Sequence, residues 1–404
     1  MENLKLGFVG MGQRGMGLLE NVLGQFPDVD VTAVCDSYPD RTEDAARRVK
    51  EARGNTPAGY TCHRDLIADE NVDIVLISAA WEAHVAIAVE SMKAGKVTAM
   101  EVGGAYSVDE CWELVRTWEE TKTPFMFLEN CCYGQEELLA TKMVRDGMLG
   151  EVVYCHGSYA HDLRDEICGG KANRHYRLRN YLARNCDNYP THNLGPIARL
   201  LNVNRGNRLL KLVSMASKSA GLKAYVRDRE EFTFLRDAEF AQGDVVTTMI
   251  TCADGSLINL KLDTTLPRAY SREFTVSGTA GMFSHPDKVV FLDGKGLDHN
   301  REMTAYRDTM QEYMDLQPKI WKEVTPEALR AGHGGMDTLM LRSFFDAVRE
   351  GRPMPIDVYD AASWMVITAL SEISIAQGGQ SMDIPDFTQG LWQNRQPEDV
   401  TDLS

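Results

Sequence analysis

Long apolar runs are missing from this chain. Nowhere do about 18 apolar residues follow one another, the length that a membrane-crossing helix needs. The start, MENLKLGFVGMG, enters a strand-like pattern at once, without the charged, apolar and small-residue succession of an export leader, so a cytoplasmic location is expected. Positive charge is also scarce: 59 Asp and Glu face 43 Lys and Arg, a formal charge of −16. A nucleic-acid partner needs a basic face and is not expected, and neither is a membrane partner. The nine cysteines include no Cys-x-x-Cys pair, and the adjacent Cys131 and Cys132 suit neither zinc spacing nor an easy disulfide. Reduced thiols in a reducing compartment are the simplest reading. No metal site is expected, because His156 and His161, with Asp162 and Asp165 nearby, match no ligand spacing. Internal repeats and low-complexity linkers are absent as well.

What is present is an ordinary globular composition, 44% hydrophobic and 25% charged, in 404 residues, enough for more than one core. The apolar runs LKLGFVG, VDVTAVCD, VDIVLISA, VTAMEV and PFMFLEN alternate with helical patterns, among them segments near 82–94 and 107–122. Short connections between alternating strands and helices make a doubly wound α/β fold. After Asn130 the rhythm changes. A helix is expected near 133–147 and a strand over EVVYCHGSYAHD, then a polar, arginine-rich stretch at 162–188, and a helix beginning near Pro196. LLKLVSMAS, DVVTTMITC, SLINLKLDTT and REFTVSG alternate apolar and polar residues and read as antiparallel strands with one buried face. The expected architecture is an N-terminal parallel-sheet domain, 1–130. A C-terminal α+β domain with a large mixed or antiparallel sheet, 131–404, follows it, its last helices (336–350 and 357–377) packing back toward the first.

The first strand runs into Gly10-Met11-Gly12-Gln13-Arg14-Gly15, and a helix follows directly. In a G-x-G-x-x-G turn the first glycine permits the bend and the second lets backbone approach a pyrophosphate. The third allows close helix–strand packing, with phosphate charge at the helix N-terminus. Asp36 closes the second strand roughly twenty residues on, where a carboxylate accepts from ribose hydroxyls and repels a 2′-phosphate. This is a Rossmann domain, and NAD rather than NADP is the expected cofactor. Ligands of such sheets bind beyond the carboxyl ends of the strands. Trp81, Glu82 and His84 fall there after the third apolar run, Glu101 and Val102 after the fourth, and Glu129 and Asn130 after the fifth.

The Rossmann half, the mixed-sheet half and the SGTAG turn together resemble the Gfo/Idh/MocA oxidoreductase superfamily. More specifically, WEAH, GKVTAMEV, LENCCYG, NYPTHNLGP and GHGGMD resemble the family 109 glycoside hydrolases, NAD-dependent α-N-acetylgalactosaminidases, over nearly the whole chain. Two departures stand out. Ordinary dehydrogenases of the superfamily carry Glu-Lys-Pro where this chain has Glu101-Val102-Gly103, and Asn193 stands where many family members have glycine. The resemblance implies that Arg14, Gly15 and Asp36 contact NAD and that Trp81 to His84, Glu101, Val102 and Asn130 line the rest of it. Tyr159, Arg177, Tyr189, Pro190, Thr191, His192 and Tyr270 would face a carbohydrate. Arg174 and Arg179 compete with Arg177 for its role. A homo-oligomer is expected by the same analogy.

Most glycosidases work with two carboxyl groups across the bond, and nothing in this sequence marks such a pair. The resemblance implies hydrolysis through transient oxidation at C3, elimination, water addition and re-reduction. That cycle needs a group for the C3 hydroxyl proton, a base at C2 and an acid at C1. His192 suits the first role, because imidazole titrates near neutrality. Tyr159 is a candidate at C2 or C1, with Tyr189 or Glu129 sharing the work. As a base, Tyr159 would need a cation such as Arg177 beside it. A bland alternative for His192 is a helix cap. His333 either covers the pocket or merely sits in a turn. Two other functions stay open: a plain NAD-dependent sugar or polyol dehydrogenase, and a non-catalytic NAD-binding sensor.

Overall fold

The computed structural model describes residues 3–295 and 307–404. They form two compact units. The first comprises Met1–Ala105, Asp109–Asn130 and Glu323–Ala362, and the second Tyr106–Val108, Cys131–Lys322 and Ser363–Ser404.

The chain begins β1 (Leu4–Val9), α1 (Gln13–Gln25), β2 (Val29–Cys35), α2 (Pro39–Arg53), β3 (Ala58–Tyr60), α3 (His63–Ala68) and β4 (Ile74–Ile77). It continues through α4 (Trp81–Lys93), β5 (Val97–Glu101), α5 (Val108–Thr121) and β6 (Phe125–Leu128). The six strands are parallel in the order β3-β2-β1-β4-β5-β6. Every residue of β4 and β6 is buried, which is why those segments read as unbroken apolar runs rather than alternations. The order reverses between β1 and β4, the crevice where such sheets hold their ligands.

The second sheet draws on α6 (Gln135–Arg145), β7 (Val152–Ala160), α7 (Arg164–Cys168), α8 (Gly170–Asn173), α9 (Arg177–Ala183), α10 (Thr191–Leu200) and β8 (Leu209–Ala216). After α11 (Gly221–Val226) come β9 (Val245–Cys252), β10 (Leu257–Asp263), β11 (Thr275–Gly278), β12 (Gly281–Ser284), β13 (Val289–Leu292) and α12 (Lys319–Lys322). The chain closes with α13 (Pro326–Arg330), α14 (Met336–Glu350), α15 (Val358–Ala376) and β14 (Met382–Asp383). The strand order is β13-β12-β11-β7-β10-β9-β8-β14. All its pairings are antiparallel except β10 with β7, which places Leu262 beside Tyr159.

Three expectations are corrected. The helix expected near Pro196 starts at Thr191, and Pro196 lies inside it. The ring removes the N–H that would bond the His192 carbonyl, a loss α10 tolerates one turn in. The stretch 162–188 is not merely polar: it holds the three short helices α7, α8 and α9. The domain boundary also shifts, since residues 323–362 belong with the first unit. The apolar side of α14 explains this. Phe345 stacks edge-on against Phe26 of the α1 C-terminus at 5.1 Å, Thr338 bonds Asn21 at 3.0 Å, and the Phe127 N–H of β6 donates to the Ile356 carbonyl at 3.0 Å.

Candidate active site

In the first unit the glycine turn has the shape a dinucleotide requires. Gly10 adopts φ +96°, and a Cβ there would lie 2.4 Å from the Ala79 nitrogen. A Cβ on Gly15 would lie 1.9 Å from the Gly10 oxygen, so α1 sits against β1 with no room for a methyl. Gly12 is different. Its Cβ would meet nothing nearer than an Arg41 nitrogen at 3.5 Å, which leaves an open approach to the backbone. No side chain caps α1 there, and its first-turn N–H groups are available to phosphate oxygens. Gly15→Ala is expected to cost about 1–3 kcal/mol through overpacking, read as a melting point several degrees lower and a weakened response to added dinucleotide.

Asp36 ends β2 with its carboxylate turned back on the turn: Oδ2 accepts from the Met11 N–H at 2.7 Å and Oδ1 from the Tyr38 N–H at 3.0 Å. Both oxygens keep lone pairs for ribose hydroxyls. At the end of β4, Trp81 is buried and Glu82 exposed in the first turn of α4. His84 Nε2 lies 2.9 Å from the Ala79 carbonyl, and burial pulls the imidazole down to about 4, so it is neutral at physiological pH. Gly103, where the dehydrogenases have proline, leaves room for the indole: a Cβ would sit 2.7 Å from Trp81 Cδ1. Val102 is buried beside it, an apolar side chain at the position of the superfamily lysine. Gln13 is exposed at the start of α1.

Arg14 does more than sequence suggests. Its guanidinium is gripped by Asp337 at 2.6 and 2.9 Å and by Glu101 at 2.7 and 3.0 Å. Asn130 Nδ2 donates to the same Asp337 at 2.8 Å, and His333 Nδ1 stands 2.8 Å from it. Arg14 holds the Asp337 carboxyl far below the usual carboxylate range despite its burial. His333 thus anchors a turn, at φ +51° between glycines. The phosphate contact expected at Arg14 is left to its backbone N–H in the uncapped first turn. At this edge the buried Asn130 Oδ1 has no hydrogen-bond partner among the described residues, and Glu129 is completely buried just past the end of β6.

In the second unit the remaining predicted residues come together. Tyr159 near the end of β7 has its ring 4.4 Å from that of Tyr189 and 5.5 Å from that of His192, with 4.7 Å between the latter two. Arg177, in the first turn of α9, hydrogen-bonds the Tyr159 phenol, lies 5.0 Å over the Tyr189 ring and pairs with Glu166 of α7 at 2.7 Å. This places Arg177, rather than Arg174 or Arg179, in the cluster. Burial still pushes the Tyr159 phenol up to about 12, with Arg177 opposing the shift. Pro190 precedes α10, its carbonyl accepting from the Leu194 N–H at 2.9 Å, and Thr191 is completely buried. The N-cap residue Pro190 offers no side-chain cap, and His192 stands in the first turn of the helix. Behind the loop, fully buried Asp187 accepts from Thr248 and from the Tyr189 N–H, and burial lifts its carboxyl to about 7.

Tyr270 reaches the same cluster through His161, whose ring lies 5.2 Å from it and 6.0 Å from Tyr159. The backbone at Tyr270 is steadied by Arg272, which forms a buried double hydrogen bond with Glu137 of α6 at 2.6 and 3.0 Å. His161, Glu166, Glu137 and Asp337 went unrecognised in the sequence. His161 carried a signal, since it lies two residues beyond Tyr159 in a strand-like run and so shares its face. The others pair across distances in sequence that no pattern reveals.

Two family descriptions match the chain, one on either side of residue 130. Residues 4–128 match the oxidoreductase family, NAD-binding Rossmann fold, and residues 133–394 match the glycosyl hydrolase 109 C-terminal domain. The chain belongs to the glycosyl hydrolase 109 family. An alpha-N-acetylgalactosaminidase of Tannerella forsythia is 38% identical over 98% of this chain and 88% of its own length. One from Shewanella oneidensis is 35% identical over the same shares. Among solved structures, levoglucosan dehydrogenase in complex with NADH and levoglucosan shares the fold of this glycosyl hydrolase 109 member at TM-score 0.70 and 20% identity, covering 95% of this chain and all of that one. Myo-inositol 2-dehydrogenase from Lactobacillus plantarum does so at TM-score 0.66 and 17% identity, with the same coverage. Among the described residues no helix is long and apolar enough to cross a membrane.

Proposed function

We propose that this protein is an NAD-dependent glycosidase that cleaves an N-acetylgalactosaminide or a related glycoside with no net redox change. The observation that carries this reading is the pairing of a dinucleotide cradle with a tyrosine–histidine–arginine cluster in a chain that has Val102 in place of the dehydrogenase lysine. Bound NAD would supply reversible hydride transfer at the sugar C3, which makes that carbon a ketone and acidifies the C2 proton. Gly10, Gly12, Gln13, Arg14 and Gly15 would hold its pyrophosphate and Asp36 its ribose. Trp81, Glu82, His84, Glu101, Val102 and Asn130 would line the remainder.

His192 takes the proton of the C3 hydroxyl and later returns it, a task suited to an imidazole. Tyr159 keeps its phenolic proton through the neutral range, which suits it to donate to the departing oxygen at C1. Arg177 fixes the orientation of that phenol. Tyr189 gives the sugar an apolar ring face, and Tyr189 or Glu129 shares the proton chemistry at C2 or C1. Pro190 and Thr191 shape the turn that presents His192, and the half-exposed Tyr270 faces the sugar. Water is the only co-substrate of the net reaction.

The test is to supply a chromogenic α-N-acetylgalactosaminide to protein purified with its cofactor and no added NAD. Many turnovers of released aglycone without accumulating NADH are expected. A plain sugar dehydrogenase would instead form stoichiometric NADH from a free sugar, and that result would displace the glycosidase reading.

A further inference from the structure

We infer that His161 is a catalytic residue of the second-unit cluster, the base that takes the sugar C2 proton, exchanges it with solvent, and protonates C2 after water has added. This rests on the glycosidase reading and supplies the one proton-transfer role that reading leaves without a suitable group.

The elimination needs a base near C2, and Tyr159 is ill suited to it. With a phenol at about 12, only about one molecule in 10⁵ carries the phenolate at pH 7. His161 lies two residues beyond Tyr159, just past the end of β7, its ring edge-on to both Tyr159 and Tyr270. Its backbone is pinned: the His161 N–H donates to the Asp263 carbonyl at 3.0 Å, and the N–H of Leu163 donates to the Thr264 carbonyl at 3.1 Å. The ring itself is not tied. Among the described residues neither nitrogen of His161 has a hydrogen-bond partner. By contrast His156, five residues earlier, is clamped by the Asn259 carbonyl at 3.0 Å and by Glu273 at 3.2 Å. A partly buried imidazole with both nitrogens unengaged, beside the phenol that serves C1, is placed to exchange a proton.

The charged and titratable groups facing His161 are Arg177 of α9, Glu166 of α7, His192 of α10 and its neighbour Asp162, beside the phenols of Tyr159 and Tyr270. Burial first, then Arg177, depress the imidazole below its ordinary value against the two carboxylates. His161 is therefore in its neutral, proton-accepting form at physiological pH.

The step balances as follows. His161 takes the C2 proton of the 3-keto sugar, and the C2–H electron pair becomes the C1=C2 bond. The C1–O bond breaks, its electrons stay on the aglycone oxygen, and that oxygen takes the Tyr159 proton. Water then bonds C1, its proton restores Tyr159, and the imidazolium of His161, having exchanged its proton with solvent, delivers a solvent-derived proton to C2.

His161→Gln keeps the side chain polar and similar in size but cannot take the proton. With the chromogenic glycoside its kcat is expected to fall about 10²–10³-fold. Reduced nicotinamide is expected to build up on mixing, because C3 oxidation still proceeds, while exchange of the C2 proton with solvent is lost. Added imidazole is expected to restore part of the activity of His161→Ala. The acidic limb of the wild-type kcat profile, lying below the ordinary histidine range of about 6.5, should vanish in both variants. Wild-type kcat and C2 exchange in His161→Gln would overturn the proposal. Loss of the reduced-nicotinamide signal together with the exchange would also overturn it, by tying His161 to site integrity instead. A wild-type protein that shows neither signal would overturn the glycosidase reading itself, whatever the variants do.

Discussion

His192→Ala is expected to lower kcat for glycoside cleavage by about 10²–10⁴-fold, the usual worth of a positioned acid–base group. Binding of NAD should be unchanged, because the cradle at Gly10–Gly15 and Asp36 belongs to the other unit and makes its contacts without His192. The ring packs edge-on against Tyr159 and Tyr189, at 5.5 and 4.7 Å, where it can serve the chemistry of the second-unit cluster. Isothermal titration of NAD, run beside initial rates, separates the two effects. A variant that cleaves within tenfold of wild type would remove His192 from the chemistry.

Arg14→Met should damage stability rather than chemistry. The guanidinium neutralises Glu101 and Asp337, whose side chains are 6% and 2% exposed. Removing it leaves two buried carboxylates facing each other. Breaking such a pair costs about 3–5 kcal/mol, and the lower end applies because Arg14 keeps 29% exposure. The pH dependence has a definite sign. In wild type the folded Asp337 carboxyl is depressed, so its contribution is fully present above the unfolded carboxylate pKa, about 3.9, and is lost only as pH falls below that range. Without Arg14 only His333 and Asn130 still oppose the burial that raises this carboxyl, so it rises and the variant gains relative stability on acidification. Thermal unfolding from pH 7 to pH 5 is expected to show the gap between wild type and variant narrowing. A constant gap would mean that the network is not held together by charge.

The Rossmann half was legible because its buried parallel strands announce themselves as apolar runs and its glycines are forced by sterics: Gly10 by its positive φ, Gly15 by contact with the Gly10 oxygen. The alternating strands of the second half were legible for a related reason. One face of that sheet is covered, and β9 keeps the alternation residue by residue. The site was partly legible. Tyr159, Arg177, Tyr189 and His192 came from the resemblance, and no composition or spacing would have joined residues from β7, α9 and α10. That the last helices pack back toward the first domain was expected, but that 323–362 as a whole joins the first unit was not, because it depends on what α14 packs against and not on its own periodicity. The Arg14–Asp337 pair, separated by more than three hundred residues, was hidden for the same reason. Position 14 read as a phosphate ligand because its motif is local, whereas its main partners are not.

The most direct test is cleavage of the glycoside in deuterated water, followed by mass and proton analysis of the released sugar. Deuterium is expected at C2 in every molecule turned over, with none gained at C3 and no NADH left behind. Release of sugar with its C2 proton intact would contradict the oxidation–elimination route and leave direct displacement at C1 in its place.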